Sequence, residues 1–193
     1  MSPAVDCIDF KAEWIQLAQA GDQRAYSELV RYFRKGVVGM IYRLYGDIHL
    51  AEDVAQDTFI RVWHRLPSYH PIASASSPGA SFRNWLYRVA ANLAIDLFRC
   101  EKPTDDIDLI DPPASEQAPE NQVIQKETGS TVQTAILGLP LISRSVLILR
   151  EYEGLSYKDI SETLNIPLGT VMSRLSYARK ILVEKLRGEL EGI

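Results

Sequence analysis

Between Glu101 and Glu127 the chain reads EKPTDDIDLIDPPASEQAPENQVIQKE, with eight acidic residues, two basic ones and four prolines. No helical or strand-like apolar period survives there, and each proline removes a backbone donor and fixes φ, so no core element passes through it. Whatever folds must fold on either side. The segment is predicted to be a flexible acidic linker over 101–127, leaving an N-terminal domain at 1–100 and a C-terminal domain at 128–193 of the 193 residues.

On both flanks apolar residues recur at helical spacing and β-branched alternation is scarce, which predicts an all-α protein of two small helical domains. Apolar residues make up 46% and charged residues 24%, the balance of a soluble globular chain rather than a disordered or fibrous one. No run of eighteen apolar residues and no basic segment followed by an apolar stretch is present. Neither a membrane span nor a secretion signal is expected, and the cytoplasm is the default location. Cys7 and Cys100 fall in separate segments and fit no metal-ligand or redox spacing, so no metal, cofactor or disulfide is predicted.

The net charge of -4 argues against nucleic acid, because binding phosphate takes clustered Lys and Arg. Distribution outweighs the sum. From Leu168 to Ile193 the chain holds five basic and three acidic residues, so the acid is concentrated in the linker and the base near the C-terminus.

In the N-terminal half, Asp22 is placed to cap a helix carrying Ala25, Leu29, Val30 and Phe33 on one face. A second helix, AEDVAQDTFIRVWHRL, buries Ala55, Phe59, Val62, Trp63 and Leu66. At ~100° per residue its opposite face carries Asp53, Asp57, Ile60, Arg61 and His64, an apolar side chain set among charges. The stretch PSYHPIASASSPGA is predicted to be a mobile loop. A third helix, SFRNWLYRVAANLAIDLFR, puts Phe82, Leu86, Val89, Leu93 and Leu97 in the core and Asn84, Arg88, Asn92 and Arg99 on a polar stripe edged by Trp85. Guanidinium groups pair with phosphates, amides read base edges and rings stack on unpaired bases, so that stripe suits single-stranded DNA.

The C-terminal half holds the most informative pattern. Gly154 ends one helix; Ser156 and Asp159 form a capping-box pair at the start of the next, whose Ile160 and Leu164 face inward. Asn165-Ile166-Pro167 breaks the chain before a basic helix with Val171, Leu175, Ala178 and Leu182 on its buried side. A short helix, a tight break and a longer basic helix make a helix-turn-helix. Thr170, Ser173, Arg174 and Tyr177 project near the start of the recognition helix, and Arg179, Lys180 and Lys185 extend its positive surface.

At this point GLSYKDISETLNIPLGTVMSRLSYARKIL resembles region 4 of the extracytoplasmic-function sigma factors of the sigma-70 family. GDQRAYSELVRYF, AEDVAQDTFIRVWHRL and SFRNWLYRVAANLAIDLFR resemble the family's region 2, in the same order. The resemblance implies that region 2 melts and reads the minus-10 promoter element, region 4 reads the minus-35 element as duplex, and the partners are core RNA polymerase, promoter DNA and an anti-sigma factor, with no membrane insertion and no cofactor. It implies a core polymerase surface at Asp53, Gln56, Asp57, Ile60 and Arg61, minus-10 contacts at Asn84, Trp85, Arg88 and Asn92, and minus-35 contacts at Thr170, Ser173, Arg174, Tyr177 and Arg179. The loop from Pro67 to Ala80 would receive a flipped base. Met172, Ser176 and Tyr177 depart from the arginine or aromatic residues of familiar members, so no minus-35 sequence is carried over.

Two other classes compete. A helix-turn-helix regulator of the response-regulator output type shares the C-terminal pattern but puts a βα receiver or sensing domain where this chain is helical. An enzyme would need a nucleophile elbow, a phosphate-binding glycine loop, paired carboxylates or metal-ligand spacing, and the sequence carries none.

Overall fold

The computed structural model describes residues 11–71, 77–101 and 127–190, with side chains described except at 99–101, 127–130 and 188–190. Among the described residues every regular element is helical: α1 (Glu13–Gln19), α2 (Gln23–Tyr45), α3 (Ile48–Arg65), a 3-10 turn (Leu66–Ser68), α4 (Pro78–Glu101), α5 (Glu127–Leu137), α6 (Leu141–Glu151), α7 (Tyr157–Leu164) and α8 (Leu168–Leu190). The all-α expectation holds. The linker predicted at 101–127 lies, from 102 to 126, outside the described residues.

Local chemistry sets the helix ends. Asp22 accepts from the backbone N–H groups of Arg24 and Ala25 at 2.8 and 3.1 Å, and Asp47 does the same for His49 and Leu50, satisfying donors that a helix start otherwise leaves orphaned. Ala25, Leu29 and Phe33 of α2 then meet Ala55, Phe59 and Val62 of α3 and Phe82, Leu86 and Leu93 of α4 in one core. Val30 and Trp63 are only half-buried, and Trp63 meets Tyr26 at a centroid distance of 4.8 Å with the rings tilted by 52°.

The loop expected from Pro67 to Ala80 is shorter than the sequence suggested. Leu66–Ser68 forms a 3-10 turn, Tyr69 is buried with its hydroxyl donating to Ser81 at 2.8 Å, and α4 starts at Pro78. Ser77 caps that start through the N–H of Ala80 at 3.1 Å, while proline at the first helical position brings its φ already set and has no N–H to lose. Positions 72–76 lie outside the described residues.

The two halves pack against each other. Helices α5 and α6 lie on α2, and α7 lies on α4. Gly46 ends α2 at φ +79, a conformation that favours glycine, and the tip of the Leu137 side chain comes within 2.6 Å of the place a Cβ would occupy, so any other residue would also make Leu137 shift. Arg144, 8% exposed, reaches across the seam: its Nη1 donates to the carbonyl of Leu44, and its Nη2 donates to the carbonyls of Leu137 and, at 2.9 Å, Leu139. Burial pushes this guanidinium down to about 10, so it stays charged at neutral pH and answers the negative ends of two helices. Gln133 adds a bond at 3.2 Å to the carbonyl of Tyr42.

A buried carboxyl sits on the same seam. Glu153 accepts the hydroxyl of Tyr87, whose phenol end comes within 2.3 Å of the Cβ position at Gly36, so α2 admits it only because that residue is glycine. Burial raises the Glu153 carboxyl above its ordinary 4.5, while the Tyr87 bond and the charges of Arg43 and Arg83 pull it back. A carboxyl held higher in the folded than in the unfolded state contributes stability that is complete below the unfolded value and is lost as pH rises through the folded one. Glu153→Gln, which keeps an acceptor for Tyr87, is expected to flatten that decline when urea midpoints are measured from about pH 4 to pH 8. Parallel curves for wild type and variant would show that the carboxyl carries no such penalty.

Candidate nucleic-acid interface

Three surfaces collect the residues that the sequence singled out. The first is the outer face of α3. Asp53, Gln56, Asp57, Ile60 and Arg61 are all exposed, Ile60 at 56%, opposite the buried stripe of Val54, Ala55, Thr58, Phe59 and Val62. An amphipathic helix capped at its own N-terminus holds these five side chains on one face, with Ile60 left open among the described residues.

The second surface is the polar stripe of α4, and much of it is covered. Arg88 pairs with Glu162 of α7 at 2.7 Å, and Asn84 donates its Nδ2 to Asp159 at 3.3 Å. The Asn84 Oδ1 is buried without a partner. Asn92 is exposed. Trp85 is half-buried and forms an aromatic cluster with Tyr69 and Phe82, at centroid distances of 4.8 and 5.7 Å. Tyr69, His70, Asn84, Trp85 and Arg88 line a pocket of about 220 Å³, closed on one side by Asp159 and Thr163. That is roughly seven times the ~30 Å³ share of one water, room for a single planar base. Sequence reasoning missed Tyr69 and His70, because the residues around them have no period; aromatic rings in a Pro- and Ser-rich stretch were the one available signal. Arg99 belongs to the residues whose side chains are not described.

The third surface is the helix-turn-helix. Ser156 and Asp159 close the predicted capping box, Asn165 ends α7 in the left-handed region at φ 53, and α8 starts after Pro167. Val171, Leu175 and Ala178 are buried, and Leu182 is half-buried against the core. Thr170, Ser173, Arg174 and Tyr177 lie together on α8, Ser173 exposed and the other three half-buried. They share a cleft of about 960 Å³ with Asn92 and Asp96 of α4 and Glu162 of α7. Arg179 is exposed and donates its Nε to Glu151 at 3.1 Å. Lys185 is exposed, and its ammonium lies over Gly138 beside the C-terminal end of α5, where a cation answers the helix dipole.

A wholly helical described chain that ends in a capped short helix, a left-handed break and a long helix with basic residues defines a helix-turn-helix DNA-binding protein. Comparison with known proteins narrows this. Residues 29–104 match Sigma-70 region 2, and residues 130–182 match Sigma-70, region 4. The chain is 34% identical over 184 residues to the ECF RNA polymerase sigma factor SigW of Bacillus subtilis, covering 90% of this chain and 95% of that one. It is 34% identical over 184 residues to the RNA polymerase sigma-H factor of Pseudomonas aeruginosa, covering 90% and 92%. The fold is that of CnrH, solved in complex with the cytosolic domain of CnrY, with a TM-score of 0.62 at 23% identity over 92% of this chain and 97% of that one. The chain belongs to the extracytoplasmic-function sigma factors of the sigma-70 family and is an RNA polymerase sigma factor.

Proposed function

We propose that this chain directs core RNA polymerase to particular promoters through three separate surfaces, and leaves the chemistry of RNA synthesis to the polymerase. The domain at 1–100 docks on core through Asp53, Gln56, Asp57, Ile60 and Arg61 of α3. It reads and melts the minus-10 element with Asn84, Trp85, Arg88 and Asn92. The domain at 128–193 reads the minus-35 duplex with Thr170, Ser173, Arg174, Tyr177 and Arg179, and the linker at 101–127 spans the two. Among the described residues no helix is long and apolar enough to cross a membrane; the reading places the protein in the cytoplasm with an anti-sigma factor as partner, the kind of partner named for RpoE of Bartonella quintana in its complex with NepR.

The observation that supports this division most directly is the base-sized pocket beside α4. A ring cluster, a guanidinium and an orphaned amide oxygen around about 220 Å³ form a site for one unstacked base, which can stack on Trp85 and donate an amino hydrogen to Asn84. A regulator that reads only duplex DNA has no use for it. Asn92 lies outside that pocket, four residues beyond Arg88 on the same helix and exposed, where it can hold the strand beside the captured base; Asn92→Ala is expected to impair open-complex formation by ~10-fold, the cost of one base-edge contact of ~1–3 kcal/mol, while closed-complex binding, held by α3 and α8, changes little. Permanganate footprinting on duplex and pre-melted promoter templates measures this. A pre-melted bubble should restore the variant, and normal melting by Asn92→Ala on duplex templates would reject the strand-reading role.

A further inference from the structure

The outer surface of the recognition helix carries carbon where a phosphate-binding surface would carry charge. From Asn165 to Ser173, across the break and into the second turn of α8, the chain has no charged residue. Leu168 and Met172 are 46% and 50% exposed. Four residues apart, they stand one above the other on one flank of the helix, ~6 Å along its axis. Their polar neighbours are short: Ser173 donates its hydroxyl to the carbonyl of Thr170 at 3.1 Å, and the next outward residue is Ser176. A single exposed apolar side chain is common on any surface; a pair on the reading helix makes a continuous patch.

Gly169 lies between the two in sequence. Its φ is not positive, and a Cβ built there meets nothing within 4 Å. Neither its backbone nor a described neighbour calls for glycine, which is a poor helix former. An absent side chain on an open surface serves something that comes close from outside.

In a helix-turn-helix protein the outside neighbour of this helix is the major groove of duplex DNA. The patch is continuous with that reading surface, because Met172 stands ~100° to one side of Ser173 and Arg174 ~100° to the other. The methyl group displayed in the major groove is that of thymine, and a thioether chain, flexible and polarizable, adapts to such a target. Side chains ~6 Å apart, set against a rise of ~3.4 Å per base pair, reach neighbouring pairs. We propose that Met172 and Leu168 read thymine methyl groups, so that the minus-35 duplex preferred by this chain carries thymines at neighbouring pairs, on the side of α8 away from Arg174. This rests on the assignment of α8 to the major groove of the minus-35 element.

The test uses holoenzyme reconstituted from the full chain and core polymerase, and a pool of promoter duplexes randomised over both elements. In the enriched duplex each thymine of the minus-35 element is replaced in turn by uracil, which keeps the pairing and removes only the methyl group. At one or two thymines wild type should lose about fourfold in affinity, the effect of burying a single methyl group. Met172→Ala should bind the enriched duplex more weakly and show no uracil effect at the thymine it reads. Val183→Ala, at a side chain 55% exposed and ~16 Å further along α8 than Met172, should keep the wild-type pattern. Gly169→Ala should hold or raise the melting temperature and still weaken the enriched duplex. A uracil loss of equal size in wild type and Met172→Ala, no loss at any thymine, or undiminished binding by Gly169→Ala would overturn methyl reading; the groove assignment survives if Arg174→Ala still changes the preferred sequence. If neither Arg174→Ala nor Met172→Ala changes that sequence, the groove assignment falls and methyl reading goes with it. Should Met172→Ala instead lower affinity for core polymerase alone, the patch faces a protein and methyl reading is overturned.

Discussion

A chain carrying Asp57→Arg together with Ile60→Glu is expected to keep its helical content and melting temperature and to lose most of its affinity for core polymerase. Both side chains stand on the outer face of α3, Ile60 at 56% exposure, and neither belongs to the buried stripe of Ala55, Phe59 and Val62 that holds the helix to the core. Changing them therefore takes nothing from folding. At an interface the same change removes an apolar anchor and reverses a charge, and truncating a central anchor alone costs ~2–4 kcal/mol. At ~1.4 kcal/mol per decade the loss is ~30-fold to ~1,000-fold. Fluorescence anisotropy of the labelled chain titrated with core polymerase measures it, with circular dichroism as the folding control. Unchanged affinity in a folded double variant would move the docking surface off α3.

Arg144→Met should have the largest effect on stability. The guanidinium is buried and satisfies three carbonyls, those of Leu44 at the end of α2 and of Leu137 and Leu139 around the end of α5. Methionine restores the volume but leaves these acceptors dry, and an unsatisfied buried acceptor costs ~1–3 kcal/mol. A total loss of ~3–5 kcal/mol follows, in the range seen when a buried charged network is broken from one side. For a chain of this length that lowers the melting temperature by ~6–20 °C. Arg144→Lys should recover little, because an ammonium presents its donors from a single point and cannot span two helix ends. Calorimetry of both variants decides the matter: a methionine variant as stable as wild type would mean that the arginine binds its carbonyls no better than water does.

The contrast between these two residues marks what was legible in the sequence. Ile60 was found by angle alone, since an apolar side chain opposite an apolar stripe is conspicuous at helical period. The same holds for Asp22 as a cap, for the Ser156 and Asp159 capping box, and for the break at Asn165. The sequence did less well at Pro78, where a cap and a proline look like the middle of a loop until the following helix is seen to start there.

Local rules of this kind involve residues within one or two turns of each other, so the chain by itself determined its longer helices, most of their buried residues, the helix-turn-helix and the family. It did not determine which polar groups meet. Arg144 reads as an ordinary exposed residue of α6, yet it is buried by a helix a hundred positions earlier in the chain. Tyr87 and Glu153 reveal their pairing only once Gly36 and the seam are in place. Arg88 and Glu162, separated by 74 positions, carry complementary charge, but so do many pairs that never approach. Hydrophobic period fixes what goes inside an element because it acts along the chain; the pairing of surfaces depends on shape and desolvation between distant elements, and only the tertiary structure decided it.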